Sequence, residues 1–217
     1  MSTFPRSPRL LKGGIVLIDP NTSAVKRIVV LQYNPDTLTR TLQVKGVGAE
    51  SGDRSEALRL KGPPTETIKL DVEIDATDQL ERGEAPATQL GIYPHLAALE
   101  TLVYPSYDQL QSNNRLAASG KMEIVPMETP LTLFIWSKQR ILPVRITDFS
   151  ITEEAFDAAL NPIRAKVSLG LRVLSVTDLG FDHKGGSLYM IYQQQKERLA
   201  ERHPGGDLGV LGIGEIP

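Results

Sequence analysis

The sequence predicts a mainly β protein with minor α content, built as an antiparallel β-barrel or two-sheet tube fold with one packed helix. Residues 66–76, ETIKLDVEIDA, alternate apolar and charged side chains over eight positions, which is typical of a strand with one buried face. Six or seven such segments follow one another along the chain. The single helical segment among them cannot supply the repeated crossovers that a parallel sheet needs, so the pairing should be antiparallel.

The remaining strands are predicted from short apolar runs bounded by turn residues. GGIVLID and KRIVVLQY flank a turn at 20–22 and form a hairpin, and LTRTLQV follows. LTLFIW, ILPVRITDFSI and IRAKVSLGLRVLSV come later in the chain. Pro143 lies within the second of these, so we expect that strand to be an edge or to carry a bulge. In the third, alternate positions form one apolar face: Ala165, Val167, Leu169, Leu171 and Val173.

Helical periodicity is found in two places. Over residues 90–103, apolar side chains recur at i, i+4, i+7 and i+11, and Pro94 suits the first turn of a helix. GGSLYMIYQQQKERLAER predicts a C-terminal amphipathic helix. Residues 105–130 are polar and predict a loop, as do residues 46–65. The domain boundaries that follow are an N-terminal arm at 1–13, a barrel domain at 14–180, and a C-terminal helix with a Gly-rich docking tail at 181–217.

Composition excludes several classes of function. The 217 residues carry a net charge of −2, and their basic residues do not interleave with aromatic residues, so no nucleic acid partner is expected. Cysteine is absent, and no apolar run approaches the roughly 20 residues of a membrane span, so no membrane insertion is expected. We expect synthesis and assembly in the cytoplasm. Residues 1–65 contain ten basic and five acidic side chains, and residues 66–100 contain eight acidic and two basic ones, an asymmetry that suits contact between unlike surfaces.

The motifs give no support for an enzyme, a cofactor or a metal site. His95, His183 and His203 are far apart and lack ligand-like spacing. The segment SITEEAFDAALNP groups Glu153, Glu154 and Asp157, which could act as acid and base or hold a hard cation. We favour a short helical turn there with Thr152 as its cap. The sequence therefore predicts neither catalytic residues, nor cofactor-binding residues, nor metal ligands.

Three candidate sites are structural. The sequence QYNPD predicts a corner in which Pro35 fixes the backbone, Asn34 is extended before it, and Tyr33 anchors it to the core. The acidic face of the 66–76 strand is a candidate subunit-facing surface: Asp71, Glu73 and Asp75. The apolar side chains near the end of the sequence are a candidate docking tail: Leu208, Val210, Leu211, Ile213 and Ile216.

The order of these motifs resembles the tube-protein-like family of contractile injection systems, the phage-tail-like particles. VVLQYNPDTL is followed by KLDVEID, by YPHLAALETLVYP and by PLTLFIWSKQRILPVRITDFSITEEAFDAALNPIRAKVSLGLRVL, over roughly residues 14–202. In particular, the chain is similar to the small baseplate component between the spike hub and the inner tube. Many relatives carry a C-terminal LysM module; after Leu179 this chain has a helix and a Gly-rich tail instead, so glycan binding does not carry over.

The resemblance implies a structural role without enzymatic activity. It implies a homohexameric six-fold ring that acts as tube initiator or adaptor and contacts the spike or hub protein, the inner tube protein, and sheath or baseplate wedge proteins. The particle would serve secretion and be cytoplasmic, membrane-attached or released. A tube terminator of the same particle is the alternative within this class. A metal-dependent hydrolase centred on Glu153, Glu154 and Asp157, or a peptide-binding module using a strand edge, are the alternatives from other classes.

Overall fold

The computed structural model describes residues 10–46, 59–119 and 129–216. Within these ranges, seven strands form one antiparallel sheet in the order β2-β1-β5-β6-β7-β4-β3. The strands are β1 (Gly14–Ile18), β2 (Val25–Val30), β3 (Leu38–Gln43), β4 (Thr65–Asp75), β5 (Leu131–Ser137), β6 (Arg140–Phe156) and β7 (Pro162–Val173). The predicted mainly β class with minor α content is confirmed. Most of the arm 1–13 and of the predicted loop 46–65 lies outside the described residues.

Strand β4 buries one face in the core, because its apolar and charged side chains alternate regularly. Ile68, Leu70, Val72 and Ile74 are all buried, and the charged side chains between them face outward. β4 pairs with β7 from Thr67↔Arg172 to Asp75↔Arg164, and the five apolar positions predicted for β7 are buried as well. These two strands form the centre of the hydrophobic core.

Strand β6 is central rather than an edge, because it lies between β5 and β7. Pro143 is tolerated because its carbonyl accepts a hydrogen bond from the Leu174 N–H at 2.8 Å, just past the end of β7. The β6–β7 register begins one residue later, at Val144↔Val173, so the N–H that proline lacks falls outside that ladder. The register of β6 does shift, but between Ile146 and Asp148.

Six helices occur in the described residues, followed by a short 3₁₀ turn, Leu208–Leu211. The helices are α1 (Thr77–Glu81), α2 (Ala85–Leu90), α3 (Tyr93–Glu100), α4 (Tyr107–Ala118), α5 (Val176–Leu179) and α6 (Lys184–Ala200). α3 is the predicted central helix, with Pro94 in its first turn and Leu96 and Leu99 buried. α6 is the predicted C-terminal helix, and its Tyr189 and Tyr192 pack into the core.

Two local predictions are wrong. The segment predicted as a loop at 105–130 contains α4, which begins at a capping box formed by Ser106 and Gln109. Thr152 does not cap a helical turn but pairs with Lys166, because β6 continues to Phe156 along the whole length of β7.

The sheet curls, so that β2, the first strand in the sheet order, approaches β4, the sixth. Gln32, just after β2, forms hydrogen bonds with the backbone of Asp75 at the end of β4. In the described residues no backbone pairing joins β2 to β3, so the curled sheet keeps two free edges. α3 covers the gap, with Leu96 and Leu99 packed among Leu31, Val72 and other core side chains.

Candidate assembly surfaces

The Asn-Pro corner is held by Asn34 rather than by Tyr33. The side-chain oxygen of Asn34 accepts a hydrogen bond from the Gly13 N–H at 2.9 Å, and its nitrogen donates to the Leu11 carbonyl at 2.8 Å. Pro35 is half-buried. The predicted core anchor, Tyr33, is 47% exposed, because the last inward-facing residue of this segment is Leu31. The corner therefore ties the segment after β2 to the chain that precedes β1.

The negative charge of the candidate subunit-facing strand is partly offset, because side chains of β7 pair with its carboxylates. Arg164 forms an ion pair with Asp75 at 2.9 Å, and the Ser168 hydroxyl donates to Asp71 at 2.6 Å. Glu73 lies opposite Lys166 in the register and is exposed. Burial raises the pKa of Asp75, but hydrogen bonds from Thr77 and the ion pair with Arg164 outweigh it and hold the pKa below its ordinary value.

Both edge strands expose apolar side chains. On β2 these are Val25, Ile28 and Val30, each between 58% and 60% exposed. Beside β3 they are Leu42, Val44 and Leu60, each between 47% and 67% exposed. Free backbone groups combined with exposed apolar side chains form a template for pairing with another chain. The two edges are therefore candidate contact surfaces, one at each end of the sheet.

The candidate docking tail stays outside the core. Val210 is 84% exposed and Leu211 is 73% exposed, and Leu208 alone among the five apolar residues is half-buried. The Asp207 side chain accepts from the Gly209 N–H and starts the 3₁₀ turn. Gly212 then ends it in the left-handed conformation at φ 75°.

A buried ion-pair cluster joins the β3 edge to α6. The side chain of Arg40 lies 2.7 Å from Glu66, which is 4% exposed, and donates to the Tyr192 hydroxyl at 3.0 Å. Burial opposes the charge on Arg40, but Glu66 raises its pKa above the ordinary value. Lys196 lies over the Tyr192 ring, and burial lowers its pKa.

Sequence reasoning missed this cluster, although a signal was present. Glu66 has the same parity in β4 as the buried Ile68 and Leu70, so alternation alone places its side chain inward. A buried carboxylate needs a cation, and Arg40 on the neighbouring strand lies opposite Ile68 in the register.

The carboxylates considered for an enzyme are not brought together. Glu153 and Glu154 are successive residues of β6, whose side chains point to opposite faces, and Glu154 lies 3.7 Å from Lys166. Asp157 binds Asn161 and the Ala159 N–H in the turn before β7. His183 caps α6 by accepting from the Gly185 N–H. Among the described residues, no group of three or more acidic, histidine or cysteine side chains is placed to hold a metal ion.

The chain was compared with models of known protein families and with curated proteins. Neither comparison returned a match. None of the helices in the described part of the chain combines the length and apolar composition that a membrane crossing requires.

Proposed function

We propose that this protein is a structural component of a contractile injection system, a baseplate adaptor that forms a ring between the spike hub and the inner tube. The family and the six-fold ring come from the resemblance of the motif order. The observation that carries the proposal is the pair of free apolar edges on one curled sheet. A closed ring needs two unlike patches on each copy, so that one patch meets the other on the next copy.

Each copy offers unlike surfaces of this kind. The β2 edge, the β3 edge and the tail 207–216 expose apolar side chains that the domain itself does not bury. Pairing across copies would satisfy the free backbone groups and cover these side chains at the same time. The hub, the inner tube protein and the sheath or wedge proteins would meet the two faces of the ring. Assembly would take place in the cytoplasm.

The proposal is tested by the mass of the purified protein and by its place in whole particles. Light scattering or mass photometry should give a closed oligomer, and electron cryo-microscopy should locate it at the spike end of the tube. Density at the opposite end would instead assign a tube terminator. A strictly monomeric protein that no particle contains would overturn the proposal.

Edge variants test which surfaces are used. Ile28→Lys and Val44→Lys place a charge on the β2 edge and beside β3, and each should reduce assembly. Leu160→Lys, at a 74% exposed turn residue between β6 and β7, is the matched control and should assemble normally. Thermal unfolding of each variant separates loss of assembly from loss of folding.

A further inference from the structure

The tail 207–216, DLGVLGIGEI, has four exposed apolar side chains: Val210, Leu211, Ile213 and Ile216. Within the described residues, the backbone hydrogen bonds of this segment are local and join residues 207–213 to one another. If this segment were extended, its successive side chains would point to opposite sides. Leu211, Ile213 and Glu215 would face one side, and Gly212 and Gly214 the other, with Val210 and Ile216 before and after the two glycines.

The β2 edge has the complementary form. The Leu31 N–H donates to the Gly13 carbonyl at 3.0 Å, so Leu31 and Val29 direct their backbone groups toward β1. By alternation, Ile28 and Val30 direct theirs outward, away from the sheet. An apolar slot of about 210 Å³ opens beside this edge, lined by β2, by Val72 and Ile74 of β4, and by α3.

One antiparallel register matches the two segments position by position. With Ile213 opposite Ile28, Leu211 lies opposite Val30 on the exposed face. Gly212 and Gly214 then lie opposite Val29 and Arg27, on the side where the Arg27 guanidinium contacts Thr101 at the end of α3. Glycine has no side chain to collide with α3 there.

Charge agrees with the same register. Glu215 reaches the bulge of β2, where two cations, Lys26 and Arg27, follow one another. An acidic side chain is therefore placed beside positive charge, and the apolar pairs lie beside each other. Shifting the tail by one residue would turn Leu211 and Ile213 toward α3 and lose both matches.

We infer that the tail 207–216 of one copy adds as a strand to the β2 edge of a second copy. This inference rests on the self-assembly proposed above and names one contact between copies within it. Within one chain, α6 is held near Glu66 by Tyr192 and Arg40, whereas the slot lies at Val72 and Ile74. Glu66 and Ile74 are eight residues apart, about 26 Å along β4. The middle of α6 is therefore held far along β4 from the slot of its own domain.

A cross-linking experiment tests the contact directly, since the chain contains no cysteine. Ile28→Cys and Ile213→Cys proteins are purified separately, mixed and oxidised. Directly opposed strand residues have Cα atoms about 5.5 Å apart, within the range of a disulfide. The mixture should give a disulfide-linked dimer of the two variants. Ile216→Cys replaces Ile213→Cys as the control, because residue 216 would face the other side and should cross-link at least about fivefold less.

The outcomes separate the inference from the proposed function. A closed oligomer in which no cross-link forms would overturn the tail contact and leave the ring intact. A monomer without cross-link would overturn both. A disulfide that forms only inside the double variant Ile28→Cys/Ile213→Cys would show that the tail binds its own domain, which also overturns the contact between copies.

Charge exchange gives an independent test. Lys26→Glu and Glu215→Lys each place like charges at the contact and should each weaken association roughly 3- to 10-fold. In a mixture of the two, every slot meets a tail of opposite charge, so association should recover. Recovery only when both changes are in one chain would mean a contact within the chain, and the inference would be wrong. Thermal unfolding of the Lys26→Glu protein controls for the loss of its ion pair with Asp19.

Discussion

The side-chain amide of Gln32 binds both backbone groups of Asp75: its nitrogen donates to the Asp75 carbonyl at 2.6 Å, and its oxygen accepts from the Asp75 N–H at 3.0 Å. Gln32 follows the first strand of the sheet and Asp75 ends the sixth. A side chain here takes the place of a missing strand pairing and holds the curled sheet together.

Replacing Gln32 by leucine should lower the free energy of unfolding by about 1–3 kcal/mol, since two partly buried backbone groups lose their partner. Urea denaturation measures the change. Gln43→Leu is the matched control, because Gln43 is an exposed β3 residue, and it should alter stability by less than about 0.5 kcal/mol. Equal effects of the two changes would mean that Gln32 does not hold β2 to β4.

Glu66→Ala should destabilise the protein by about 3 kcal/mol, because Arg40 would be left without its buried partner. The paired change Arg40→Met/Glu66→Leu should recover most of this loss, since it removes both charges. Arg164→Ala is the control: its pair with Asp75 is more exposed and should cost less than about 1 kcal/mol. A Glu66→Ala protein as stable as Arg164→Ala would contradict the role assigned to the cluster.

The β1–β2 turn should lose stability in acid. Backbone hydrogen bonds from Thr22, with Lys26 and Asn21, lower the pKa of Asp19 from 3.8 to about 2. The folded-state pKa is lower than the unfolded one, so the stabilisation is complete above pH 3.8 and is lost as pH falls through about 2. Thermal unfolding of the native protein and of Asp19→Asn, followed between pH 5 and pH 2, should show a difference that shrinks toward the acid end. A difference independent of pH would contradict this.

Gly186→Ala should disturb the packing of α6 against the backbone at Gly180. A methyl group at Gly186 would collide with the Gly180 carbonyl oxygen, a backbone atom that cannot move aside as the end of a flexible side chain could. We expect a loss of about 2–3 kcal/mol in urea denaturation. Gly46→Ala serves as the control, because no atom lies within 4 Å of the added methyl. If both substitutions are tolerated equally, α6 does not need the close approach.

Substitutions of Asn34 and Tyr33 at the corner should lower stability by different amounts. Asn34→Ala removes two hydrogen bonds to the segment before β1 and should cost about 1–2 kcal/mol. Tyr33→Ala removes a side chain that is 47% exposed and should cost less than about 0.5 kcal/mol. Urea denaturation of both variants decides which residue anchors the corner. Assembly of a Pro35→Ala protein is measured separately and should be reduced if the corner is needed for it. A larger loss for Tyr33→Ala would favour the anchor predicted from the sequence.

The sequence predicts those elements whose side-chain period matches their surroundings. Residues 68–74 alternate because one face of β4 is buried, and Leu96 and Leu99 have helical spacing because α3 covers the core. For the second half of β6 the sequence predicts a turn, because its acidic residues resemble a helix start and only pairing with β7 holds them extended. The sequence does not predict α4, because no residue of that helix is buried, although Ser106 and Gln109 form a capping box that the sequence displays.

The candidate site was predicted in part, for a related reason. Side-chain to backbone bonds between distant segments, such as Asn34 to Gly13, leave no periodic trace in the sequence. The sequence therefore does not indicate that Asn34, rather than Tyr33, is the anchor. The acidic strand was identified, but its neutralising partners Arg164 and Ser168 became visible only through the β4–β7 register.

Helix α6 is held in its first half, by the glycine contact at Gly186 and by Tyr192 at the ion-pair cluster. The helix continues to Ala200, which is the point where the tether to the tail begins. The six residues between Ala200 and the tail, 201–206, include glycines at 205 and 206 and have a root-mean-square span of roughly 14 Å if they behave as a flexible linker. An acceptor within that radius meets the tail at a high effective concentration, whereas one much farther away meets almost none of it. The length of this tether thus selects which neighbours a copy can capture, before any side chain has touched them.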